Sequence, residues 1–233
     1  MPITLAEKII RFNRELEFSG KLPPGIKVLN PFRENPEIAR ISEKFYRKFY
    51  DDLHKRKMII GINPGRLGAG ATGIPFTDTK RLKEKCGISI HSVHTHEPSS
   101  VFMYELIDSY GGTDSFYHDF YINSVSPLGF VKLNSKGNRV NCNYYDFPDL
   151  FEALRDFITE NLKKQILFGI DTSICYALGI KNARFLSIIN KKEKFFDRII
   201  PLEHPRYIVQ YRKKEMNAFA DRFVKILKGK LGN

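Results

Sequence analysis

The chain has 233 residues, of which 42% are hydrophobic, enough to bury a substantial core. Its 38 Lys and Arg against 26 Asp and Glu leave a net charge of +12, which points to a polyanionic partner, nucleic acid or an anionic membrane surface, with a merely soluble basic protein as the plain alternative. No apolar run reaches the ~18 residues of a membrane span, and Met1-Pro2-Ile3-Thr4 begins no signal-peptide core, so a cytoplasmic protein with no membrane partner is expected.

In chain order, residues 4–18 carry Leu5, Ile9, Phe12 and Leu16 at helical spacing, and 35–52 carry Ile38, Ile41, Phe45 and Phe49. Short runs rich in Ile, Leu, Val and aromatics predict strands near 57–62, 119–125, 164–169 and 198–202. Helical patterns lie near 99–110, 148–162, 171–178 and 212–228. Strands alternating with helices predict a parallel sheet in a three-layer α/β/α sandwich. No linker, repeat or low-complexity segment divides residues 1–233, so one domain is expected, with 1–52 as its helical N-terminal part. Residues 65–98 read as a long irregular segment, a feature that in compact domains is usually functional.

The most informative stretch is Gly61-Ile62-Asn63-Pro64-Gly65, continued by Thr72-Gly73-Ile74-Pro75-Phe76 and answered by His204-Pro205-Arg206. It follows the strand Lys57-Met58-Ile59-Ile60, so Asn63 falls at a strand's carboxyl end, where open α/β sheets bind ligands. Asn in a Pro/Gly turn is often only turn chemistry. A turn alone, however, needs neither an aromatic at position 76 nor a His-Pro after another strand.

Other segments weigh less. Gly68-Ala69-Gly70-Ala71-Thr72-Gly73 spells the dinucleotide fingerprint, but Pro64 intervenes after the strand and Pro75 blocks a following helix, so a flexible wall over a pocket is the better reading. His91, His94 and His96 do not have zinc-site spacing and no cysteine pair accompanies them, so no metal is assigned. Cys86, Cys142 and Cys175 are odd in number and unpaired in spacing, which excludes a disulfide framework. Gly169-Ile170-Asp171-Thr172-Ser173 reads as a strand-to-helix turn offering free N–H groups to a phosphate, with plain capping as the alternative. Phe116, Tyr117, Phe120 and Tyr121 are expected in the core.

The two motifs resemble those of the uracil-DNA glycosylase superfamily. Gly-Ile-Asn-Pro-Gly resembles the first motif of its mismatch-specific and single-strand-selective (SMUG-type) branches, His-Pro opens the second, and Thr-Gly-Ile-Pro-Phe is most similar to the SMUG type. Tyr121 to Phe130 is similar to the family's Asn…Pro-Leu segment, and roughly residues 55–215 can be laid on the family. Where the second motif of that branch continues in a Pro-rich loop, this chain has Arg206-Tyr207-Ile208-Val209-Gln210.

The resemblance implies a four-stranded parallel core and a monofunctional glycosylase hydrolysing the N-glycosidic bond of uracil in single- or double-stranded DNA, working as a monomer without a cofactor. Too few cysteines are present for the iron–sulfur branch, which uses four. By resemblance, Asn63 orients the water and His204 donates to the uracil O2 as charge develops. Phe76 stacks on the extruded base, Ile62 and Gly65 border it, and Asn123 or Ser124 reads its edge. Ser124 in that role would relax discrimination toward xanthine or hypoxanthine, and Gly65 would admit 5-substituted uracils. Ser99, Ser100, Gly169, Ser173, Arg206, Tyr207 and Ile208 are candidate DNA contacts. The alternatives are a catalytically silent DNA-binding module of the same fold and a nucleoside N-ribohydrolase.

Overall fold

In the computed structural model, which describes residues 2–230, a capping box between Thr4 and Glu7 starts α1 (Leu5–Glu15) and turns its Leu5, Ile9 and Phe12 stripe inward. β1 (Ile26–Leu29) and the single turn α2 (Pro31–Glu34) lead to α3 (Pro36–Tyr50), capped by the Asn35 side chain. β2 (Lys57–Gly61) is followed by α4 (Ala69–Thr72), α5 (Thr79–Cys86), α6 (Pro98–Tyr110) and α7 (Gly112–Asp119). Then come β3 (Phe120–Ser124), β4 (Gly129–Leu133), β5 (Arg139–Cys142), α8 (Pro148–Ile166), β6 (Asp171–Leu178) and α9 (Ile180–Glu193). The chain closes with β7 (Arg198–Leu202), α10 (Pro205–Tyr211) and α11 (Met216–Leu227).

The main sheet has the order β3-β2-β6-β7 with every pairing parallel, as expected. Met58, Ile59 and Ile60 are all buried, because helices cover both faces. On one face Phe120 packs against Tyr110 and Phe116; on the other, Tyr121 donates its hydroxyl to Gln165 of α8. The register Gly61↔Ser124 and Leu178↔Leu202 brings the carboxyl ends of the four strands to one rim.

The sequence reading misassigns one region. The expected strand near 164–169 is the end of α8, whose buried Leu154, Ile158, Leu162 and Gln165 carry the helical period past residue 162. Gly169, at φ +98°, ends that helix, and the expected helix 171–178 is instead β6. Gly169 to Ser173 therefore enters a strand at the amino rim: the Asp171 N–H donates to the Arg56 carbonyl, and Asp171 pairs with Lys57. The true strand-to-helix turn is Leu178-Gly179-Ile180.

Two further differences bear on the site. Residues 65–98 are not irregular throughout, since α4 and α5 lie within them. Nor is Gly68 to Gly73 a flexible wall: Gly70 N–H donates to the Gly65 carbonyl, Gly73 closes α4 in the left-handed region, and Thr72 donates its buried hydroxyl to the Thr77 carbonyl. A second, antiparallel sheet, β1-β4-β5, lies outside what periodicity showed, because its strands are only four or five residues long.

Candidate active site

Asn63 follows β2 by two residues at the carboxyl rim, and its carboxamide is held at both ends. Nδ2 donates to the Cys142 carbonyl (3.1 Å), while Oδ1 accepts from the Tyr144 N–H (3.0 Å). A carbonyl on one side and an N–H on the other permit a single amide orientation. Oδ1 keeps one lone pair free for a further hydrogen bond. Pro64 completes the turn, and its carbonyl passes so close to Gly129 that any side chain there would collide with it.

His204 follows β7 and caps α10, its Nδ1 accepting from the Arg206 N–H (3.1 Å). That bond places the proton of the neutral ring on Nε2, leaving a donor free. Burial, and then the Arg206 charge, pushes the His204 pKa down to about 4, so the ring is neutral at physiological pH. Gly179, at φ +98°, lets the β6–α9 turn come within contact of the ring: a Cβ there would stand 3.6 Å from His204 Cδ2.

Phe76 lies beside His204 and over Gly61. Its ring centroid is 6.1 Å from that of His204, and it covers Gly61 so closely that a Cβ on Gly61 would stand 2.7 Å from Phe76 Cζ. The residue sits at φ +54°, a left-handed conformation that costs about 1–3 kcal/mol and persists only where surroundings enforce it. Thr77, directly after it, is fixed through its hydroxyl to Tyr104 at 3.0 Å.

Ser124 and Asn123 point to opposite faces of β3. Ser124 Oγ would lie 3.4 Å from a Cβ on Gly61, on the side of the Phe76 ring. Asn123 turns the other way: Nδ2 donates to Tyr121 Oη (2.7 Å) and Gln165 Oε1 (2.6 Å), and Oδ1 accepts from the Ser124 N–H (2.8 Å). Both amide hydrogens are committed inside the protein. Ser124 therefore lies on the side of Phe76 and Asn123 on the side of α8.

The rim therefore joins a fixed amide, a neutral imidazole donor, an aromatic platform and a hydroxyl. Residues 47–228 match the uracil DNA glycosylase superfamily. The chain belongs to that superfamily. The crystal structure of wild-type SMUG2 from Pedobacter heparinus is similar to it at 47% sequence identity, with 98% of each chain covered and a TM-score of 0.95. No curated protein matches it by sequence. The enzyme is a DNA glycosylase of the SMUG type, and its substrate is DNA; neither the silent binding module nor the nucleoside hydrolase is favoured. No helix among the described residues is long and apolar enough to cross a membrane.

Several expected DNA contacts of the glycosylase are displaced. Gly169 and Ser173 lie on the amino rim, away from Asn63, because the segment begins β6 rather than a helix. Ser99 and Ser100 are buried in the first turn of α6, and Ser100 donates its hydroxyl to Asp78 Oδ2 (2.8 Å). Arg206, Tyr207 and Ile208 form a helix rather than a loop. Ile208 is fully buried and cannot reach DNA, whereas Arg206 is exposed and Tyr207 is 44% exposed, its ring 5.6 Å from that of Tyr211.

Sequence reasoning misses the groups that hold the site. Cys142 and Tyr144 act on Asn63 through main-chain atoms, which no side-chain pattern reveals. Gln165 is visible only once α8 is extended to Ile166. Glu97, ahead of Pro98, belongs to no sequence motif, yet its carboxyl packs against Gly68 and its pKa is pushed up to about 7 by burial and by Asp78.

Proposed function

We propose that Asn63 and His204 are the catalytic residues of this glycosylase and that Phe76 and Ser124 receive the extruded base. The observation that supports this most is the two-ended hold on Asn63, which leaves one lone pair of Oδ1 for a water. A carboxamide is too weak a base to deprotonate that water, so the barrier must fall chiefly through stabilisation of the departing uracil anion. Neutral His204 supplies this by donating from Nε2 to O2, and a donor placed where charge develops acts in the manner of an oxyanion hole. Phe76 offers a face for stacking, while Asn123 positions Ser124 through its backbone N–H.

A hydroxyl donates and accepts with equal ease, so Ser124 tolerates more than one base edge. Xanthine, hypoxanthine and 5-substituted uracils join uracil as substrates, the last because Gly65 puts no side chain in their way. Arg206, Tyr207 and Tyr211 face DNA from α10: Arg206 meets a flanking phosphate, and Tyr207 fills the gap that an extruded base leaves in a duplex. The protein acts as a monomeric single domain in the cytoplasm on single- and double-stranded DNA. No lysine lies in either motif, so the product is an intact abasic site. The test is a gel assay on single- and double-stranded oligonucleotides carrying each of these bases, with borohydride added to trap any imine. A trapped protein–DNA adduct, or cleavage confined to uracil, defeats the corresponding part of the proposal.

A further inference from the structure

Glu97 lies near the rim, and the chemistry above does not use it. Its carboxyl lies directly on the main chain at Gly68, where any side chain would collide with it, and Oε1 would be 3.8 Å from a Cβ on Gly65. The turn that follows Asn63 is thus shaped around this carboxyl. Oε2 is buried and has no hydrogen-bond partner among the described residues. Buried acceptors are nearly always satisfied, so an orphaned carboxyl oxygen calls for an explanation.

The neighbours narrow the explanation. Asp78, in the N-cap of α5, is an anion whose oxygens are already committed to the N–H groups of Arg81 and Glu97, to Ser100 Oγ and to the Arg81 guanidinium. His96 faces Asp78 at 3.3 Å, and Arg66, in the Gly65–Gly68 turn, is exposed and held through its N–H by Asn141. Arg206, in the first turn of α10, is the cation whose charge acts on both Glu97 and His204. It is exposed and forms no ion pair among the described residues.

We infer that Glu97 is a positioning residue, whose carboxylate receives the Arg206 guanidinium when DNA covers the site and so clamps the first turn of α10, with His204 at its cap, against the turn that carries Asn63. The inference rests on the proposed roles of Asn63 and His204. Covering the site removes water from both charges, which strengthens their attraction. The pair satisfies Oε2 and ties together the turn that carries Asn63 and the cap formed by His204, which lie 141 positions apart (204 − 63) in the sequence.

The clamp needs an ionised Glu97, so excision acquires an acid limb that a merely structural residue would not produce, and it lies below the value of about 7 of the unpaired carboxyl because the Arg206 guanidinium favours the carboxylate. Single-turnover excision from a single-stranded oligonucleotide bearing one uracil is followed from about pH 5.5 to about pH 9 for wild type, Glu97→Gln, Arg206→Gln and the double variant. At about pH 8 Glu97→Gln is expected to be about 10-fold slower than wild type, Arg206→Gln slower still because it also loses its phosphate contact, and the double variant no slower than Arg206→Gln, because Glu97 then has no partner left to lose. The Glu97→Gln deficit should shrink as pH falls from about 8 to about 5.5, since protonation of wild-type Glu97 removes the same pair. Melting of the free proteins checks folding: Glu97→Gln should melt above wild type at alkaline pH and level with it near pH 5, as it removes a carboxylate left unpaired.

Additive losses in the double variant, a Glu97→Gln rate within about twofold of wild type at about pH 8, or a lower alkaline melting temperature overturn the inference. Asn63→Ala, run alongside, separates the two readings. If it stays active, the assignment of the site itself falls; if it is inactive while Glu97→Gln matches wild type, only the clamp falls.

Discussion

The two rims of the parallel sheet are built from the same strands yet do opposite work. At the amino rim, Arg56 is fully buried and its guanidinium is saturated: it donates to Asp52, to the His54 and Phe49 carbonyls, and to the Tyr117 carbonyl at 2.6 Å. Every donor there is spent inside the protein, tying the end of α3 to α7. At the carboxyl rim, the Asn63 carboxamide is held at both ends yet keeps a lone pair on Oδ1, His204 is held at Nδ1 and keeps its Nε2 donor, and Ser124 is fixed through its N–H and keeps its hydroxyl. Stability is thus concentrated where hydrogen bonds close on themselves, and reactivity where a group is fixed but incompletely satisfied.

Mutation can break this comparison in order of expected effect. Asn63→Ala should lower turnover about 10²–10³-fold while DNA affinity and melting stay close to wild type, as measured by single-turnover excision and equilibrium binding. Arg56→Ala should do the reverse: about 3 kcal/mol of stability is lost in denaturant titration, but excision per folded molecule is retained. A folded, inactive Arg56→Ala would mean that the amino rim reaches the chemistry.

Smaller effects sharpen it. Ser124→Ala should slow uracil excision about 10-fold and shift the ratio of xanthine to uracil cleaved, the size of one hydrogen bond. Tyr207→Ala should slow excision from duplex about 5-fold more than from single strands, because only a duplex leaves a gap to fill. Equal losses on both substrates would move Tyr207 out of the DNA interface. Ser173→Ala, on the amino rim, should change neither rate nor affinity.

The pH behaviour of His204 adds a second contrast. Its folded pKa of about 4 lies below the ordinary value of 6.5, so the unfolded chain takes up the proton first as pH falls. The stability tied to neutral His204 is present above about pH 6.5 and lost as pH falls toward about 4. An NMR titration of the imidazole should show no charge change between about pH 5 and about pH 9. A midpoint near 6.5 would mean that the ring is solvated and that its donor is not preorganised.

What was legible in the sequence was local. The Gly61–Gly65 and His204–Arg206 motifs sit beside strands that announce themselves, so both catalytic candidates fall on the carboxyl rim. Whether Asn123 or Ser124 faces the cleft was not legible, because strand periodicity is two and a one-residue uncertainty exchanges the faces. The swap of helix and strand across 164–178 has a different origin. Ile166, Leu167 and Phe168 form an apolar run that suits either element, and only Gly169 in the left-handed region shows that a helix has ended. Glu97 was hidden because its significance lies in what it touches across the fold.

The hold on Asn63 ties catalysis to the small antiparallel sheet rather than to the main one. Cys142 ends β5, which is four residues long and pairs only with β4, and Tyr144 follows it directly. Short pairings of this kind open more easily than a sheet buried on both faces. Heating should therefore release the Asn63 carboxamide, and silence the enzyme, below the temperature at which the protein as a whole unfolds. The upper temperature limit of repair is then set by a four-residue strand, and reinforcing the pairing of β5 with β4 would raise the working range without touching a catalytic atom.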